Sequence, residues 1–396
     1  MHPFLTIDDL ELDGRRVLLR ADLNVPLQDG QVEDDFRIKA SVPALERLRE
    51  SGATVVVCSH LGRPQGPDPA LSLRPVAERL SELAGVRVEM MDEVVGPAVE
   101  RTVGEAGPGE VLMLENTRFE PGETGNDPEL SDRLARLADC FVLDAFGSAH
   151  RAHASTVGVA ERIRSAAGPL VVQEVEALSR FLGEPERPYI MVLGGAKVSD
   201  KLGVMRAVLP QVDALLVGGA MCFTLLRAEG YGVGESLVEE DRIGQVRELL
   251  EGEHGDRIIL PEDFVVADRM AEDAPTGVVP ATDLPDEGVG LDIGPDTAGR
   301  FARVAGAAES LFWNGPMGVF EWEPFRAGTE LVATGVAGSR GFTVAGGGDT
   351  IAALRLLGKE KELSHLSTGG GAGLEFLEGK TLPGLAALEK WSPRGS

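Results

Sequence analysis

Residues 189–203 read Tyr-Ile-Met-Val-Leu-Gly-Gly-Ala-Lys-Val-Ser-Asp-Lys-Leu-Gly and predict a strand, a turn and a helix. The apolar run 190–193 is typical of a buried strand, and the two glycines after it permit a tight turn. Lys197 and Lys201 are four apart, so on a helix they would share one face and repel each other. This spacing favours an anion between them, such as a phosphate at the helix N-terminus. An ordinary turn with two solvated lysines is the alternative.

Strand-like and helix-like segments alternate on both sides of this stretch. The apolar runs are short and nearly continuous, as in parallel strands that helices cover on both faces. We therefore predict an α/β fold of two similar-sized domains joined by a hinge, each a mostly parallel, Rossmann-like sheet with helices on both faces. The predicted strands are residues 16–20, 54–59, 111–114, 141–143, 190–193, 214–217, 258–260, 278–279, 311–313, 342–345 and 365–367, and helices are predicted at 36–50, 128–138, 172–182 and, capped by Ser72, up to residue 84.

The alternation also gives domain boundaries. A first domain is expected over residues 1–170, an interdomain helix or hinge over 171–188, and a second domain over 189–379. A C-terminal segment follows over 380–396, and whether it returns to the first domain is left open by the sequence.

Composition excludes several classes of protein. The 396 residues carry a net charge of −26, which disfavours nucleic acid and anionic membranes as partners. No apolar run is long enough to span a bilayer, and the first residues do not form a signal peptide. The three cysteines stand in apolar runs without metal-like spacing, which indicates free thiols and a cytoplasmic protein.

In the first half, basic side chains follow four of the predicted strands. Because parallel strands end at the same edge of a sheet, these loops should lie together, and arginine suits phosphate or carboxylate because its planar fork binds them bidentately. The implied ligand is small and carries a phosphate together with a carboxylate or hydroxyl group. The residues concerned are Asp22, Asn24, Arg37, His60, Arg63, Arg118, His150, Arg151 and His153.

In the second half, the loops after the strands are rich in glycine. Glycine lets backbone N–H groups approach a phosphate closely, although such turns also occur for steric reasons. Asp349 could hold a magnesium ion that is bound to nucleotide phosphates. The glycine-rich turns are 194–195, 218–219, 314–316, 346–350 and 369–373.

Taken together, these motifs resemble phosphoglycerate kinase. The similar segments are Arg-Ala-Asp-Leu-Asn-Val-Pro (20–26), Ser-His-Leu-Gly-Arg-Pro (59–64), Glu-Asn-Thr-Arg-Phe (115–119), Asp-Ala-Phe-Gly-Ser-Ala-His-Arg-Ala-His (144–153), Gly-Gly-Ala-Lys-Val-Ser-Asp-Lys (194–201), Trp-Asn-Gly-Pro-Met-Gly-Val-Phe-Glu (313–321), Gly-Gly-Gly-Asp-Thr (346–350) and Ser-Thr-Gly-Gly-Gly-Ala (367–372). They keep the family's order and run through nearly the whole chain.

The resemblance implies reversible phosphoryl transfer between 1,3-bisphosphoglycerate with ADP and 3-phosphoglycerate with ATP, in the presence of Mg²⁺. It implies a triose-binding first domain, a nucleotide-binding second domain, a monomer, and Asp349 as the metal ligand. It places the triose site at Asp22, Leu23, Asn24, Arg37, His60, Leu61, Gly62, Arg63, Arg118 and Arg151. It places the nucleotide site at Lys201, Gly218, Gly219, Gly290, Asn314, Glu321, Gly347, Gly348, Asp349 and Thr350, and transfer at Arg37, Lys197, Lys201, Gly370 and Gly371.

The chain departs from the family pattern at a few points. Leu143 stands where the family usually has Asn, Ser148 replaces a frequent Thr, and the tail after Gly384 is short. Two other functions are alternatives: a different small-carboxylate or sugar kinase on a two-domain scaffold, and a bilobal solute-binding protein. A solute-binding protein would carry a signal peptide, which the first residues of the chain do not form, and this function would leave the paired lysines unexplained.

Overall fold

The computed structural model describes residues 3–392 of the chain. Within them the chain forms two compact units. Unit 1 contains the chain up to Glu176 and the segment from Thr381 onward, and unit 2 is Ala177–Lys380. No helix within residues 3–392 is both long and apolar enough to cross a membrane.

Unit 1 is built on a six-stranded sheet in which every strand pair is parallel. Its order is β5-β6-β4-β1-β7-β8, and a short antiparallel hairpin, β2-β3, lies outside it. Strands β5 and β8 were not predicted, because Val-Glu-Met and Arg-Ser-Ala-Ala lack the bulky apolar run that marks the other strands. The strands are β1 Arg16–Ala21, β2 Leu27–Gln28, β3 Gln31–Val32, β4 Thr54–Cys58, β5 Val88–Met90, β6 Val111–Met113, β7 Cys140–Asp144 and β8 Arg164–Ala167.

Five helices begin in the part of unit 1 that precedes Glu176. The first begins and ends where the sequence predicted, but the role expected for Ser72 is wrong. Leu73 is the N-cap of α2, while the Ser72 hydroxyl accepts the Arg74 N–H (3.2 Å) and donates to Glu115 (2.7 Å). The helices are α1 Phe36–Glu50, α2 Arg74–Ala84, α3 Pro97–Glu105, α4 Pro128–Arg136 and α5 Pro169–Ser179.

Unit 2 contains a second six-stranded parallel sheet, in the order β11-β10-β9-β15-β16-β17. A separate antiparallel sheet, β13-β12-β14, stands beside it in the same unit. The predicted α/β class with two mostly parallel sheets is therefore confirmed. The strands are β9 Tyr189–Leu193, β10 Ala214–Val217, β11 Ile258–Ile259, β12 Asp263–Ala267, β13 Thr276–Pro280, β14 Val289–Ile293, β15 Ser310–Asn314, β16 Phe342–Gly346 and β17 His365–Ser367.

The core of unit 2 explains why its short strands are almost entirely apolar. Residues of β9 and β15 pack against α9 and α10, and Trp313 is fully buried among them. The helices of this unit are α6 Leu202–Val208, α7 Cys222–Glu229, α8 Ile243–Leu250, α9 Pro295–Gly306, α10 Ala327–Ala337, α11 Gly348–Leu356 and α12 Gly371–Leu377.

The C-terminal segment packs on unit 1. Helix α13, Pro383–Glu389, begins where the Gly384 N–H donates to the Ala149 carbonyl oxygen (2.8 Å). After the helix, the Trp391 indole N–H donates to the Ala160 carbonyl oxygen (2.7 Å). Backbone and side-chain hydrogen bonds therefore fix the described part of this tail, despite its short length.

Candidate active site

The loops after β6, β4, β1 and β7 leave the same edge of the unit 1 sheet, because these four strands are neighbours and parallel. Asn116 joins two of the loops. Its side chain accepts the Leu61 N–H (3.1 Å) and donates to the Leu61 carbonyl oxygen (2.8 Å), and it is fully buried. The Asn24 side chain accepts the Gly62 N–H (2.9 Å) and joins the first loop to the second. The predicted clustering of these loops is thus present in the structure.

Asp22 and Arg37 form the most buried ion pair of this edge. Asp22 is 1% exposed and accepts both of its hydrogen bonds from Nη1 of Arg37, at 2.9 and 3.0 Å. The Arg37 side chain is 30% exposed, so its guanidinium is held in place while part of it still faces solvent. A partly exposed, pre-oriented guanidinium suits an anionic ligand.

Three arginines line one cleft of about 560 Å³: Arg63, Arg118 and Arg151. Arg118 donates to the Gly62 carbonyl oxygen, while its Nε is buried and has no hydrogen-bond partner in the described part of the chain. Burial and the charge of Arg151 lower the pKa of Arg118. Both features disfavour the charged form of Arg118, so an anion in the cleft would satisfy the free N–H and offset the repulsion.

His60 lies behind this cleft, against an arginine to which the sequence analysis gave no role. Nη2 of Arg20 lies 2.9 Å from Nδ1 of His60, and Arg20 is fully buried. Burial, with the charges of Arg20 and Arg118, lowers the pKa of His60 well below its usual range. Since guanidinium only donates, Nδ1 of His60 accepts, and the ring is neutral.

A buried carboxylate, Glu123, completes the floor of this edge and was also missed. It accepts hydrogen bonds from the Ser155 N–H (3.0 Å), the Ser155 hydroxyl (2.5 Å) and the Thr117 hydroxyl (3.1 Å). His153 lies 3.8 Å from it, and burial together with the charge of Arg20 lowers the pKa of His153 to about 4. Arg20 stands in the apolar run of β1, whereas Glu123 lies in a polar, glycine-rich stretch that gives no local signal of its burial.

In unit 2, the first glycine turns pack backbone against backbone. A Cβ on Gly194 would lie 2.1 Å from the Pro316 carbonyl oxygen, and one on Gly219 would lie 2.4 Å from the Gly195 nitrogen. The N–H groups of Gly194, Gly195, Gly218 and Gly219 all donate to backbone carbonyl oxygens. The steric explanation therefore accounts for these glycines, and their N–H groups are not free for a phosphate.

The two lysines of the opening stretch occupy different environments. Helix α6 begins only at Leu202, with Lys201 as its N-cap, so the expectation that both lysines share a helix face is wrong. The physical reason is a turn ahead of the helix: the Glu239 carboxylate accepts the Ser199 N–H (3.0 Å) and hydroxyl (2.6 Å). Lys197 is exposed and forms no hydrogen bond or ion pair with other described residues.

Lys201, in contrast, is only 8% exposed. Its ammonium donates to the side-chain oxygen of Asn314 (2.6 Å) and to the carbonyl oxygen of the same residue (3.0 Å). Burial lowers the pKa of Lys201 to about 8, and the charges of Asp200 and Asp349 oppose that shift. A buried ammonium with carboxylates nearby but no ion-pair partner is poised to bind an anion.

A second cleft, of about 320 Å³, lies wholly within unit 2. Its floor contains the rings of Phe223 and Phe264, whose centroids are 4.7 Å apart, and the exposed side chains of Leu237 and Met270 stand at its walls. An apolar cleft of this size suits a flat aromatic group. Four predicted nucleotide residues line it: Gly219, Gly290, Glu321 and Asp349.

The remaining predicted residues mark two helix starts. Gly347 (φ +93°) precedes α11, and the exposed Asp349 lies in the first turn of that helix. The hydroxyl of Thr350 is buried and accepts the Gly315 N–H (2.6 Å), so it fixes the turn after β15. Gly370 (φ +52°) precedes α12, and a Cβ on Gly371 would meet open space. Residues 3–392 contain no group of three metal-binding side chains, so a metal here would need ligands from elsewhere.

Comparison with known proteins gives a consistent result. A sequence model of the family described as phosphoglycerate kinase matches residues 7–380. The phosphoglycerate kinase of Salinispora tropica is 56% identical over 395 residues, covering 97% of this chain and 99% of that protein, and the one of Thermus thermophilus is 55% identical over 389 residues with the same coverage. Among solved structures, phosphoglycerate kinase from Coxiella burnetii is 40% identical (TM-score 0.86; 98% of this chain and 100% of that chain covered). The Pyrococcus horikoshii enzyme is 35% identical (TM-score 0.90; 99% and 100% covered).

Proposed function

The chain belongs to the phosphoglycerate kinase family of glycolytic phosphotransferases, and we propose that it divides this reaction between its two units. Unit 1 holds 3-phosphoglycerate or 1,3-bisphosphoglycerate, and unit 2 holds ATP or ADP. The observation that carries the proposal is the cleft of unit 1, where Arg63, Arg118 and Arg151 converge in a chain of net charge −26. Such a local concentration of guanidinium groups has a physical use only for an anion.

In unit 1, the triose phosphate group binds in the arginine cleft, and the carboxylate end faces Arg37. The ion pair with Asp22 orients Arg37, and Asn24 holds the Gly62 turn against the first loop. Neutral His60 donates a hydrogen bond to the triose from its remaining ring nitrogen. Leu23 and Leu61 contribute backbone placement, since both are buried.

In unit 2, the adenine base occupies the apolar cleft beside Gly290, and the phosphates extend toward the start of α11. Mg²⁺ normally binds through one or two carboxylates and several phosphate or water oxygens, and the single exposed carboxylate of Asp349 fits that pattern. When bound, the ion shields charge on the nucleotide phosphates. Gly347, Gly348 and Thr350 shape the helix start, while Lys201 at the N-cap of α6 is hydrogen-bonded to Asn314 at the end of β15.

The transfer step needs positioning and charge neutralisation. The carboxylate of 3-phosphoglycerate is already ionised at neutral pH, so no general base is required. We assign Arg37, Lys197, Lys201 and the N–H groups at Gly370 and Gly371 to the phosphoryl group in transit. Because these groups belong to both units, the units close about the hinge when both ligands are bound.

A coupled assay tests the proposal. Purified protein with ATP and 3-phosphoglycerate should form an acyl phosphate, detected by its reduction, with Mg²⁺ and not after chelation. Other small carboxylates and sugars serve as matched substrates, and turnover of one of them in place of 3-phosphoglycerate would overturn the proposal. We further propose that the protein is a cytoplasmic monomer with no nucleic-acid or membrane partner. Its molecular mass, measured by sedimentation at assay concentration, would test whether it is a monomer.

A further inference from the structure

Arg20 is the only arginine in the described chain that is both fully buried and placed inside a strand core, on β1. Every side of its guanidinium is engaged. Nη1 donates to the Ala21 carbonyl oxygen (2.5 Å), Nη2 faces Nδ1 of His60 (2.9 Å), and Nε donates to the Ser155 hydroxyl (2.9 Å). A buried guanidinium is costly, so hydrogen bonds at all three of its nitrogens indicate a specific role.

The contact with His60 determines where that ring carries its proton. A guanidinium has no acceptor, so Nη2 must donate and Nδ1 must accept through its lone pair. A proton on Nδ1 would place two donors 2.9 Å apart in a buried site. The neutral ring therefore carries its hydrogen on Nε2, for which no described residue provides an acceptor.

The other side of Arg20 is held just as firmly. The Ser155 hydroxyl accepts from Nε of Arg20 and donates to the buried Glu123 carboxylate (2.5 Å). That carboxylate also accepts a hydrogen bond from the Thr117 hydroxyl (3.1 Å). Ser155 thus connects a buried cation to a buried anion, and the guanidinium cannot turn away from His60 without breaking this chain.

We propose that Arg20 is a positioning residue for the triose site: it fixes His60 as the neutral Nε2–H tautomer, so that the ring always offers a hydrogen-bond donor to the substrate. The proposal rests on the triose-binding role proposed above for His60. It extends that role to a residue that does not touch substrate. The low pKa of His60 agrees with it, because burial and then the charge of Arg20 both disfavour a second proton on the ring.

The tautomer can be measured without substrate. In full-length protein with ¹⁵N-labelled histidine, long-range ¹H–¹⁵N correlations distinguish the Nε2–H ring, the Nδ1–H ring and the imidazolium, and the His60 signals are identified by their loss in His60→Gln. We expect the Nε2–H pattern throughout about pH 6 to 8. An Nδ1–H ring, a mixture or an imidazolium at neutral pH would overturn the proposal.

Two matched amides test the consequence for binding. The nitrogen of Gln can occupy the place of Nε2, whereas Asn reaches only the place of Nδ1. Both changes should raise the KM for 3-phosphoglycerate, His60→Asn by about tenfold more than His60→Gln, with the KM for ATP unchanged in both. If the tautomer is as expected but the two variants behave alike, the triose role of His60 is wrong and the proposal falls with it.

Arg20→Gln tests the positioning role directly. If it folds, as judged by thermal unfolding, His60 should become a tautomer mixture, and the KM for 3-phosphoglycerate should rise about tenfold while the KM for ATP stays within about twofold. A folded variant with a pure Nε2–H ring would refute the assignment to Arg20. If it does not fold, the wild-type spectrum and the Gln–Asn pair still decide.

Discussion

Lys201 should make nucleotide binding depend on pH above neutrality. Burial lowers the pKa of this ammonium to about 8 in the free protein, where Asn314 supplies its hydrogen bonds. Nucleotide phosphates beside it would favour the charged form and raise the pKa again. Below pH 8 the free protein already carries the charge, so binding changes little. Above pH 8 the ammonium must be reprotonated on binding, and the affinity falls as pH rises.

The magnitude follows from the pKa of Lys201. A pKa of about 8 leaves roughly nine tenths of the side chains charged at pH 7 and roughly one tenth at pH 9, so the apparent Kd for MgADP should rise about tenfold between them. Relative to the unfolded chain, whose lysine pKa is 10.5, holding the charge costs about 3 kcal/mol at neutral pH. That cost appears as pH falls from about 10.5 through 8. Because Lys201→Met removes the buried charge together with its cost, the variant should lose activity without a loss of about 3 kcal/mol in the free energy of unfolding.

Calorimetric titration with MgADP at pH 7, 8 and 9, in two buffers of different ionisation enthalpy, measures affinity and proton uptake together. Uptake should grow from about 0.1 to about 0.9 proton over this range. Lys201→Met should show neither the uptake nor the tenfold change, whereas Lys197→Met, which removes an exposed ammonium from the same loop, should keep both. A wild-type affinity that stays flat, or an equal pH dependence in Lys201→Met, would refute the reasoning.

Three further outcomes follow from contacts elsewhere. Arg118→Met should raise the KM for 3-phosphoglycerate about tenfold or more and leave the Kd for MgADP within about twofold, since it removes a charged hydrogen-bond donor from unit 1 only. The control Arg136→Met, exposed on α4, should change neither constant. Equal losses of affinity for both substrates in Arg118→Met would contradict the prediction. Gly194→Ala should destabilise unit 2 by about 1–3 kcal/mol in urea unfolding, because its Cβ would meet a carbonyl oxygen at 2.1 Å. Gly244→Ala on α8, with open space around it, should stabilise the protein by about 0.5–1 kcal/mol. Equal urea midpoints for the two variants would count against close packing at Gly194. Burial raises the pKa of Asp144 from 3.8 to about 7, so between these pH values the folded state binds a proton that the unfolded chain does not. The free energy of unfolding should therefore fall as pH rises from about 4 to about 7. Asp144→Asn should flatten that part of the curve, and an unchanged slope would show that the carboxyl group is ionised throughout.

Most of both parallel sheets could be predicted because their strands are continuous apolar runs. The run 214–217 and helix α1 agree with the structure to the residue. Strand β12, Asp263–Ala267, was not predicted, since it begins with a charged residue and stands in a stretch without clear periodicity. Its antiparallel partner β14 likewise mixes Gly and Asp with its apolar residues. Pairing with neighbouring strands, which a single sequence does not show, holds both in place.

The candidate site likewise contains residues that could be predicted from the sequence and residues that could not. Arginines in loops after parallel strands could be placed together from topology alone, and the structure gathers three of them in one cleft. Arg20 and Glu123 could not be assigned, because their importance comes from burial and from partners distant in sequence, such as Ser155. The same holds for Lys197 and Lys201: their spacing was visible, but a carboxylate about forty residues away, Glu239, sets the turn that separates them.

The glycine turns of unit 2 restrict where nucleotide phosphates can bind. The N–H groups of the turns after β9 and β10 donate to carbonyl oxygens of the chain, and at Gly194 and Gly219 the backbones approach too closely to admit a side chain. These turns therefore act as a wall that places other groups. One of them, Gly195, would bring a Cβ within 3.6 Å of the Lys201 ammonium, so the close packing that occupies the N–H groups also holds this cation at the edge of the turn. At the nucleotide site proposed above, the positive charge for the phosphates comes from the side chains of Lys201 and the exposed Lys197 and from the N-terminus of α11. Backbone N–H groups of the glycine turns do not supply it. In that proposed site, the glycines of these turns therefore contribute mainly through the positions that they allow neighbouring residues to take.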